Sequence, residues 1–164
     1  MLFIALLMLS SCGVMRETPR RPALSADERI EYSRRLGMPL TGQENALLIR
    51  EVASWLGTPY RYGGSTRAGA DCSGFIWSVY CDVYQENIPR TTEEMAARSQ
   101  RVRQRNLREG DLVFFRIKGR KISHAGLYLG NRHFVHASTS RGVVVNSLEE
   151  DYYRRRFARG GRFR

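Results

Sequence analysis

One cysteine, Cys72, lies where a loop of small and polar residues changes into an apolar run. The apolar residues of that run recur at intervals of three and four and predict one buried helix face: Phe75, Ile76, Val79 and Val83. Cys72 would then lie at the start of the helix, where unpaired N–H groups and the helix dipole favour negative charge. Because the thiolate is the reactive form of cysteine, Cys72 is a candidate nucleophile.

The three histidines of the chain, His124, His133 and His136, all lie in one predicted β-hairpin. Side chains alternate faces along a strand, so His133 and His136 point in opposite directions. With an odd-length loop at residues 130–132, His136 would lie opposite Gly126 and diagonal to His124, within side-chain reach. A two-residue turn without a bulge would place His124 and His136 on opposite faces and would exclude a shared site.

These residues predict a catalytic set of one cysteine and two histidines. His124 would form an imidazolium pair with the Cys72 thiolate and then protonate the leaving amine. His136 would fix the orientation and tautomer of the His124 ring. Two alternatives remain open: ordinary histidines on a half-buried sheet, and a zinc site of one cysteine and two histidines. Because metal-type cysteine pairs are absent from the sequence, no metal or other cofactor is expected.

Three neighbours of the nucleophile are candidate substrate-binding residues. Asp71 is either the N-cap of the predicted helix or a ligand for the free amino end of a peptide, with Ser73 assisting, and both roles can coexist. A carboxylate beside a thiol opposes ionisation of that thiol. Binding of the substrate's free amino group would explain why a carboxylate is nevertheless present at position 71. Tyr60 either belongs to an ordinary aromatic loop or donates its hydroxyl to a developing oxyanion.

Helix signals come first in the chain and strand signals afterwards. Capping boxes that begin at Ser25, Thr41 and Thr91 predict three helix starts, and Cys72 begins a further helix. Strand patterns follow at residues 112–115, 124–129, 133–138 and 143–145, then a short helical piece at 148–152 and a last strand within 155–163. Helices followed by antiparallel strands predict an α+β fold.

Composition adds a strongly basic charge. The 164 residues include 27 Lys and Arg against 16 Asp and Glu, which gives a formal net charge of +11. Such a surface could contact nucleic acid, anionic lipid or an acidic polymer, or it could simply be solvated. No basic run is interleaved with aromatic residues, so no nucleic-acid binding is expected.

The first residues have the character of an export signal. Residues 1–9 are almost wholly apolar but far shorter than the ~20 residues of a membrane span. Leu9-Ser10-Ser11-Cys12 resembles the lipobox of bacterial lipoproteins, although no Lys or Arg precedes the apolar run. The resemblance implies a signal peptide at 1–11 and lipid on Cys12. The mixed, proline-containing composition that follows predicts a lipidated N-terminus and linker at 12–41, and a domain at 42–164.

Besides Cys12 and Cys72, the chain has one cysteine, Cys81. Cys72 and Cys81 are nine residues apart on one predicted helix, which separates them by ~13.5 Å along its axis. A disulfide requires Cα atoms within ~7 Å, so these two cysteines are not expected to pair. Cys81 is interpreted as a small buried apolar side chain.

Several motifs follow one another in order from about Gln43 to the C-terminus: Gly57-Thr58-Pro59-Tyr60-Arg61-Tyr62-Gly63-Gly64, Asp71-Cys72-Ser73-Gly74-Phe75, Pro89-Arg90-Thr91, Gly110-Asp111-Leu112-Val113-Phe114-Phe115, His124-Ala125-Gly126-Leu127-Tyr128-Leu129-Gly130 and Phe134-Val135-His136-Ala137. Together these motifs resemble the NlpC-type cell-wall endopeptidases. The resemblance implies a papain-like α+β fold with N-terminal helices packed on a C-terminal antiparallel sheet. It also implies that Cys72 is the nucleophile, His124 the base and His136 the third residue, with Tyr60, Asp71 and Ser73 lining the substrate site.

The resemblance further implies hydrolysis of peptidoglycan stem peptides, usually between γ-D-glutamate and a diamino acid. Together with the lipobox, it leads us to expect an exported, monomeric lipoprotein that faces the cell wall. Gly13 after Cys12 suggests the periplasmic side of the outer membrane. Two rival functions remain: a thiol acyltransferase or amidase on the same scaffold, and a non-enzymatic lipoprotein with a vestigial triad.

Overall fold

The computed structural model describes residues 23–164, so the predicted signal peptide at 1–11 and Cys12 lie outside the described residues. The α-helices are α1 (Ala26–Leu36), α2 (Ala46–Trp55), α3 (Cys72–Val79), α4 (Thr92–Arg98) and α5 (Asp151–Arg154). A π-helical segment (Tyr80–Tyr84) continues α3, and a 3₁₀ turn covers Gln104–Asn106. The strands are β1 (Ser65–Thr66), β2 (Gly69–Ala70), β3 (Gln100–Val102), β4 (Leu112–Phe115), β5 (His124–Gly130), β6 (His133–Ser138), β7 (Gly142–Ser147) and β8 (Phe157–Arg162).

Six of these strands form one antiparallel sheet in the order β3-β8-β4-β5-β6-β7, so the last strand lies inside the sheet rather than at its edge. Helix α3 packs against β5 and β6, and α2 packs against α1 and α3. Phe75 and Ile76 of α3 are fully buried in the main core cluster. The predicted α+β architecture, with N-terminal helices on a C-terminal antiparallel sheet, is confirmed.

The capping boxes locate two helix starts and misplace a third. The side chains of Ser25 and Thr91 accept hydrogen bonds from the backbone N–H three residues later, so α1 and α4 begin where predicted. Thr41 does pair with Glu44, but α2 begins only after Asn45, whose Oδ1 accepts from the N–H groups of residues 47 and 48. The Asn45 side chain is therefore the cap, and the Thr41 pair belongs to the preceding turn.

The folded unit begins earlier than the predicted boundary at residue 42. Leu36, Met38 and Leu40 lie in the predicted linker, yet they are 4%, 2% and 8% exposed in the same core cluster as α2 and α3. Arg50 of α2 also forms an ion pair with Glu28 of α1 at 2.9 Å. The predicted linker is therefore too long, because apolar side chains on either side of Gly37 attach α1 to the core.

The hairpin that carries the histidines contains a two-residue turn and a bulge. Asn131 and Arg132 both have positive φ, at 46° and 63°, and Gly130 pairs with His133. Further along, Leu127 pairs with Val135, so one extra residue has entered β5 between these two pairs. The predicted three-residue loop is wrong in detail because Gly130 belongs to β5. The bulge nevertheless preserves the predicted register.

One glycine of the hairpin and the two cysteines in and after α3 refine the sequence interpretation. Gly126 lies on the face of Phe134, and a Cβ at this position would approach the Phe134 ring to 2.6 Å. Cys72 and Cys81 are both free thiols, and Cys81 is partly exposed in the π-helical segment rather than fully buried.

Among residues 23–164, no helix combines the length and apolar character needed to cross a membrane.

Substitutions around α1 test whether this helix belongs to the folded domain. Met38→Ala removes a side chain that is 2% exposed, so we expect a loss of about 2–5 kcal/mol in the free energy of unfolding. Ile30→Ala is the matched control, because Ile30 is 68% exposed and its truncation should change stability by less than about 0.5 kcal/mol. Denaturant titration measures both values. Equal, small effects would mean that α1 contributes nothing to the core.

Candidate active site

Cys72 is the first residue of α3, as the sequence predicts. Asp71 caps the helix by accepting the N–H of Gly74 at 2.7 Å. The Cys72 side chain is largely buried, and its Sγ lies 3.5 Å from Oγ1 of Thr92 at the start of α4. Because α3 packs against β5 and β6, the helix start that carries the thiol belongs to the same packing unit as the two histidine strands.

The Asp71 carboxylate is embedded in a network centred on Arg90. Oδ1 of Asp71 accepts from Ser73 Oγ at 3.1 Å and from Arg90 Nη1 at 3.2 Å, while Oδ2 accepts the N–H of Gly63 at 2.8 Å. Burial opposes ionisation of Asp71, but the two backbone N–H groups and Arg90 outweigh it and hold its pKa below the ordinary value. The predicted capping role is confirmed, and amine binding by Asp71 and Ser73 stays a prediction.

Arg90 also explains why a glycine follows Ser73. Its Nη2 donates to the carbonyls of Gly63 and Gly64, both at 3.0 Å. A Cβ at Gly74 would overlap the Gly64 carbonyl and the Arg90 guanidinium. Because Gly74 has no side chain, the turn that contains Gly63 and Gly64, here called the glycine turn, can approach α3.

Tyr60 is held beside the nucleophile by backbone pairing. Tyr60 forms a β-bridge with Ala70, and the N–H of Arg61 donates to the Ala70 carbonyl at 3.1 Å. Burial, followed by the negative charges of Cys72 and Asp71, raises the pKa of Tyr60. The hydroxyl therefore stays protonated at neutral pH and can act as a hydrogen-bond donor.

His124 and His136 are hydrogen-bonded to each other. Nε2 of His124 lies 2.8 Å from Nδ1 of His136, and the two rings are perpendicular with centroids 4.9 Å apart. His136 is 2% exposed and stacks on Phe134 at 5.2 Å. His133 faces the other way and contacts the backbone carbonyl of Asn131. The bulged register thus brings together the predicted base and its orienting residue, and it excludes the third histidine.

Beyond His136, the structure contains a polar network that the sequence interpretation missed. His136 Nε2 lies 3.0 Å from Oδ1 of Asn146 and 3.0 Å from the Tyr153 hydroxyl. Asn146 in turn contacts Glu150 and Arg141. Asn146 is on β7 and Tyr153 on α5, so only strand pairing and helix docking place them at the site. No local sequence signal marks either residue, because a single Asn in a strand carries no recognisable pattern.

The two paired histidines are neutral at neutral pH. Burial, and next the charge of His136, lowers the pKa of His124 to about 3. Burial lowers the pKa of His136 to about 4, with Arg141 adding to the effect and Asn146 and Glu150 opposing it. A resting imidazolium on His124, which the residues alone suggested, is therefore disfavoured. His124 is instead unprotonated at neutral pH, as a general base must be before it accepts a proton.

The histidine pair faces a small cavity of about 90 Å³. Its lining combines the two histidines with residues from the adjoining loops and α5: Ile117, His124, His136, Ser138, Thr139, Tyr152 and Tyr153. Within residues 23–164, no group of three or more His, Cys, Asp or Glu side chains has the arrangement of a metal site. The residues present are those of nucleophilic catalysis: a thiol at a helix start and, on the strands packed against that helix, two hydrogen-bonded imidazoles suited to act as base and orienting residue.

Comparison with known proteins indicates the family of the chain independently of the site geometry. Residues 57–162 match the model of the NlpC/P60 family. The Escherichia coli protein named murein DD-endopeptidase MepS/murein LD-carboxypeptidase is 44% identical over 110 residues, which cover 67% of this chain and 58% of that protein. The chain thus spans little more than half the length of this relative.

A second relative and a solved structure extend the match. A Haemophilus influenzae protein named probable endopeptidase is 36% identical over 132 residues, covering 80% of this chain and 81% of its own length. The crystal structure of an NlpC/P60 family protein from Bacillus cereus superposes with a TM-score of 0.67 at 28% identity, covering 73% of this chain and 41% of the other. The matched region includes Cys72, His124 and His136 within residues 57–162.

The buried neutral histidines predict a loss of stability in acid. The unfolded chain binds a proton near the ordinary histidine pKa of 6.5, whereas folded His136 does so only at about 4. Between these values the unfolded state holds more protons, so stability decreases as pH falls, with a slope of up to about 1.4 kcal/mol per pH unit for each histidine. His136→Gln should make the decrease between pH 6.5 and 4.5 shallower, as measured by urea titration. Parallel curves for wild type and variant would contradict this interpretation.

Proposed function

Because the chain belongs to the NlpC/P60 family, we propose that it is a cysteine peptidase that cleaves the peptide stems of peptidoglycan. The observation that carries this proposal is the 2.8 Å hydrogen bond between His124 and His136, on the two strands against which the helix of Cys72 packs. A thiol, a neutral base and an orienting imidazole are the parts that thiol-dependent amide hydrolysis requires.

The first chemical step is attack of Cys72 Sγ on the carbonyl carbon of the scissile peptide bond. Since Nε2 of His124 is engaged by His136, Nδ1 is the nitrogen that accepts the thiol proton. The resulting imidazolium is stabilised by the thiolate and then by the developing oxyanion. His124 next donates this proton to the departing amine, and the acyl group remains on Cys72 as a thioester.

The oxyanion is stabilised from the side of the Tyr60 turn. A protonated Tyr60 hydroxyl and the backbone N–H at the start of α3 are suitable donors for a negative oxygen. In the second step, His124 removes a proton from water, the hydroxide attacks the thioester, and Cys72 leaves as a thiolate that regains the proton. The products are a free carboxylate and the released amine.

Two bonds are candidate sites of cleavage. The motifs quoted above favour the bond between γ-D-glutamate and the diamino acid within one stem. The similarity to a protein named murein DD-endopeptidase favours instead a D,D cross-link between two stems. The covalent chemistry is the same in both cases, so the difference lies in which peptide fits beside Tyr60, Asp71 and Ser73.

The location of the enzyme is a further part of the proposal. We propose cleavage of the signal peptide at residues 1–11, lipid on Cys12, and anchoring in the outer membrane facing the periplasm. The apolar leader and the Leu9-Ser10-Ser11-Cys12 pattern support this location.

Purified muropeptides test the reaction and the bond together. We expect the domain to cleave them, Cys72→Ala to abolish cleavage, and Cys81→Ala to retain it. Cys81 is the matched control because it is also a free thiol but lies outside the site. Product masses separate the two bonds: a split stem identifies the γ-D-glutamyl bond, and intact monomers from cross-linked dimers identify the D,D bond.

Other products would favour a different function. Acyl transfer to an added amine would indicate a thiol acyltransferase, and release of ammonia from an amidated stem would indicate an amidase. Binding without cleavage would indicate a non-catalytic wall protein.

A basic loop beside the site carries exposed cations that could contact a carboxylate-rich polymer. We define the basic loop as residues 116–121, between β4 and β5; it contains Arg116, Lys118, Arg120 and Lys121, and all four are exposed. Ile117 of this loop lines the cavity of the histidine pair. Within residues 23–164, none of the four cations forms an ion pair. We propose that the basic loop contacts the carboxylates of the wall.

Salt and charge removal test this contact. Binding of the Cys72→Ala protein to purified sacculi should weaken as salt rises, because exposed charges are screened within about 10 Å at 0.1 M. Arg120→Gln with Lys121→Gln should weaken binding further. The control, Arg101→Gln in the edge strand β3 with Arg103→Gln just after it, removes the same charge elsewhere. Binding that ignores salt would refute the electrostatic contact, and equal effects of both pairs would refute the role of the basic loop.

A further inference from the structure

The catalytic role of His124 depends on where the protons of two histidines lie. A neutral imidazole carries one proton, on either Nδ1 or Nε2. His124 can accept the thiol proton at Nδ1 only if its own proton is on Nε2. That proton must then point at Nδ1 of His136, 2.8 Å away, so His136 must carry its proton on Nε2. The site therefore needs a device that keeps the His136 proton on Nε2.

The structure contains such a device in the side-chain amide of Asn146. Its Nδ2 lies 2.9 Å from both oxygens of Glu150, and an ionised carboxylate only accepts hydrogen bonds. Its Oδ1 lies 2.9 Å from Nη2 of Arg141, and a guanidinium only donates. The two charged groups thus fix the amide orientation from opposite ends, with Nδ2 toward Glu150 and Oδ1 toward His136.

The fixed amide decides the tautomer of both rings. Oδ1 of Asn146 has no proton to give, so the 3.0 Å contact to His136 Nε2 requires the proton to be on Nε2. Nδ1 of His136 is then an acceptor and holds the proton of His124 on Nε2. We propose that Glu150 and Arg141 are positioning residues that act through Asn146 to leave Nδ1 of His124 free as the base. This inference rests on the proposed function, in which His124 accepts the proton of Cys72.

Tyr153 makes the orientation of Asn146 necessary. Its hydroxyl lies 3.0 Å from His136 Nε2 and could donate there, which would favour the opposite tautomer and block His124 Nδ1 with a proton. The same hydroxyl lies 3.5 Å from Asn146 Oδ1 and can donate to that oxygen instead. Because Asn146 Oδ1 already accepts from Arg141 and His136, its effect on Tyr153 is indirect: a proton held on His136 Nε2 leaves that nitrogen unable to accept from the hydroxyl. Without Asn146, Tyr153 would become the donor to His136.

The groups around His136 are suited to a neutral imidazole that passes hydrogen-bond polarity from Asn146 to His124. Arg141 and Glu150 are exposed side chains of opposite sign at the surface end of the network, whereas Asn146 and Tyr153 are buried. An imidazole between these partners is oriented by hydrogen bonds and receives no direct contact from a carboxylate. Burial keeps the pair neutral, and the geometry at Asn146 would set which ring nitrogens carry the protons.

Proton positions can be measured directly by ¹⁵N NMR of the histidine rings. We expect the folded wild-type domain to carry its protons on Nε2 of both His124 and His136. In Asn146→Leu, which removes the acceptor at similar size, the His136 proton should move to Nδ1. Cleavage should show kcat lower by about tenfold or more, with KM little changed, since the loss concerns proton transfer rather than binding.

Two further variants separate positioning from simple destabilisation. Glu150→Gln allows the Asn146 amide to rotate, so it should populate both His136 tautomers and lower kcat. Glu149→Gln is the matched control, because the neighbouring Glu149 pairs only with exposed Arg132 in the described chain and should leave tautomer and kcat unchanged. Tyr153→Phe added to Asn146→Leu should restore part of the lost kcat, whereas two independent structural losses would add.

Specific results would overturn the inference. A wild-type His136 protonated on Nδ1 would do so, as would an Asn146→Leu or Glu150→Gln variant that retains the wild-type tautomer. Additive losses in the double variant would also count against it. The NMR measurement needs no substrate, so the proton assignment can stand or fall separately from the proposed peptidase activity.

Discussion

The hydrogen bond between His124 and His136 depends on one extra residue in a hairpin. Gly130 pairs with His133 at the turn, yet Leu127 pairs with Val135, and the bulge between these pairs changes the register by one. A slip of one residue moves every side chain of a strand to the other face of the sheet. Without the bulge, the sheet itself would separate the two rings. Backbone geometry at the turn is therefore a condition for the hydrogen bond between the two rings.

In the proposed mechanism, a histidine as the orienting residue needs a further group that fixes its own tautomer. A carboxylate in that position would accept the proton of His124 in either orientation and would add negative charge. His136 can either donate or accept, and burial keeps it neutral, with its pKa lowered to about 4. Its function therefore requires a second group of fixed polarity. Asn146 supplies that group, and the opposite requirements of Glu150 and Arg141 fix its amide.

Sequence reasoning succeeded where the controlling physics is local. Short segments were enough to predict the cap before Cys72 and the alternation of side chains in the hairpin. They also showed that His124 and His136 can share a face only with an odd-length loop or a bulge. It failed where partners are distant along the chain. The insertion of β8 between β3 and β4, the docking of Met38, and the approach of Arg90 to Asp71 depend on tertiary packing. The bulge combines both cases, because the sequence required an odd-length loop or a bulge for a shared site but did not show which of the two forms.

The two halves of the site are joined by apolar packing of α3 on the sheet and by two backbone hydrogen bonds between residues 57–58 and Val143 of β7. Arg90 links Asp71 of the helix start to the Gly63 and Gly64 carbonyls, so the nucleophile and the glycine turn after Tyr60 form one polar unit. The histidines and Asn146 form a second polar unit on the sheet. Phe75 and Ile76, fully buried, belong to the helix that packs against β5 and β6. Because close-packed side chains resist sliding, this apolar contact can hold the thiol in register with the base while leaving both polar networks undisturbed.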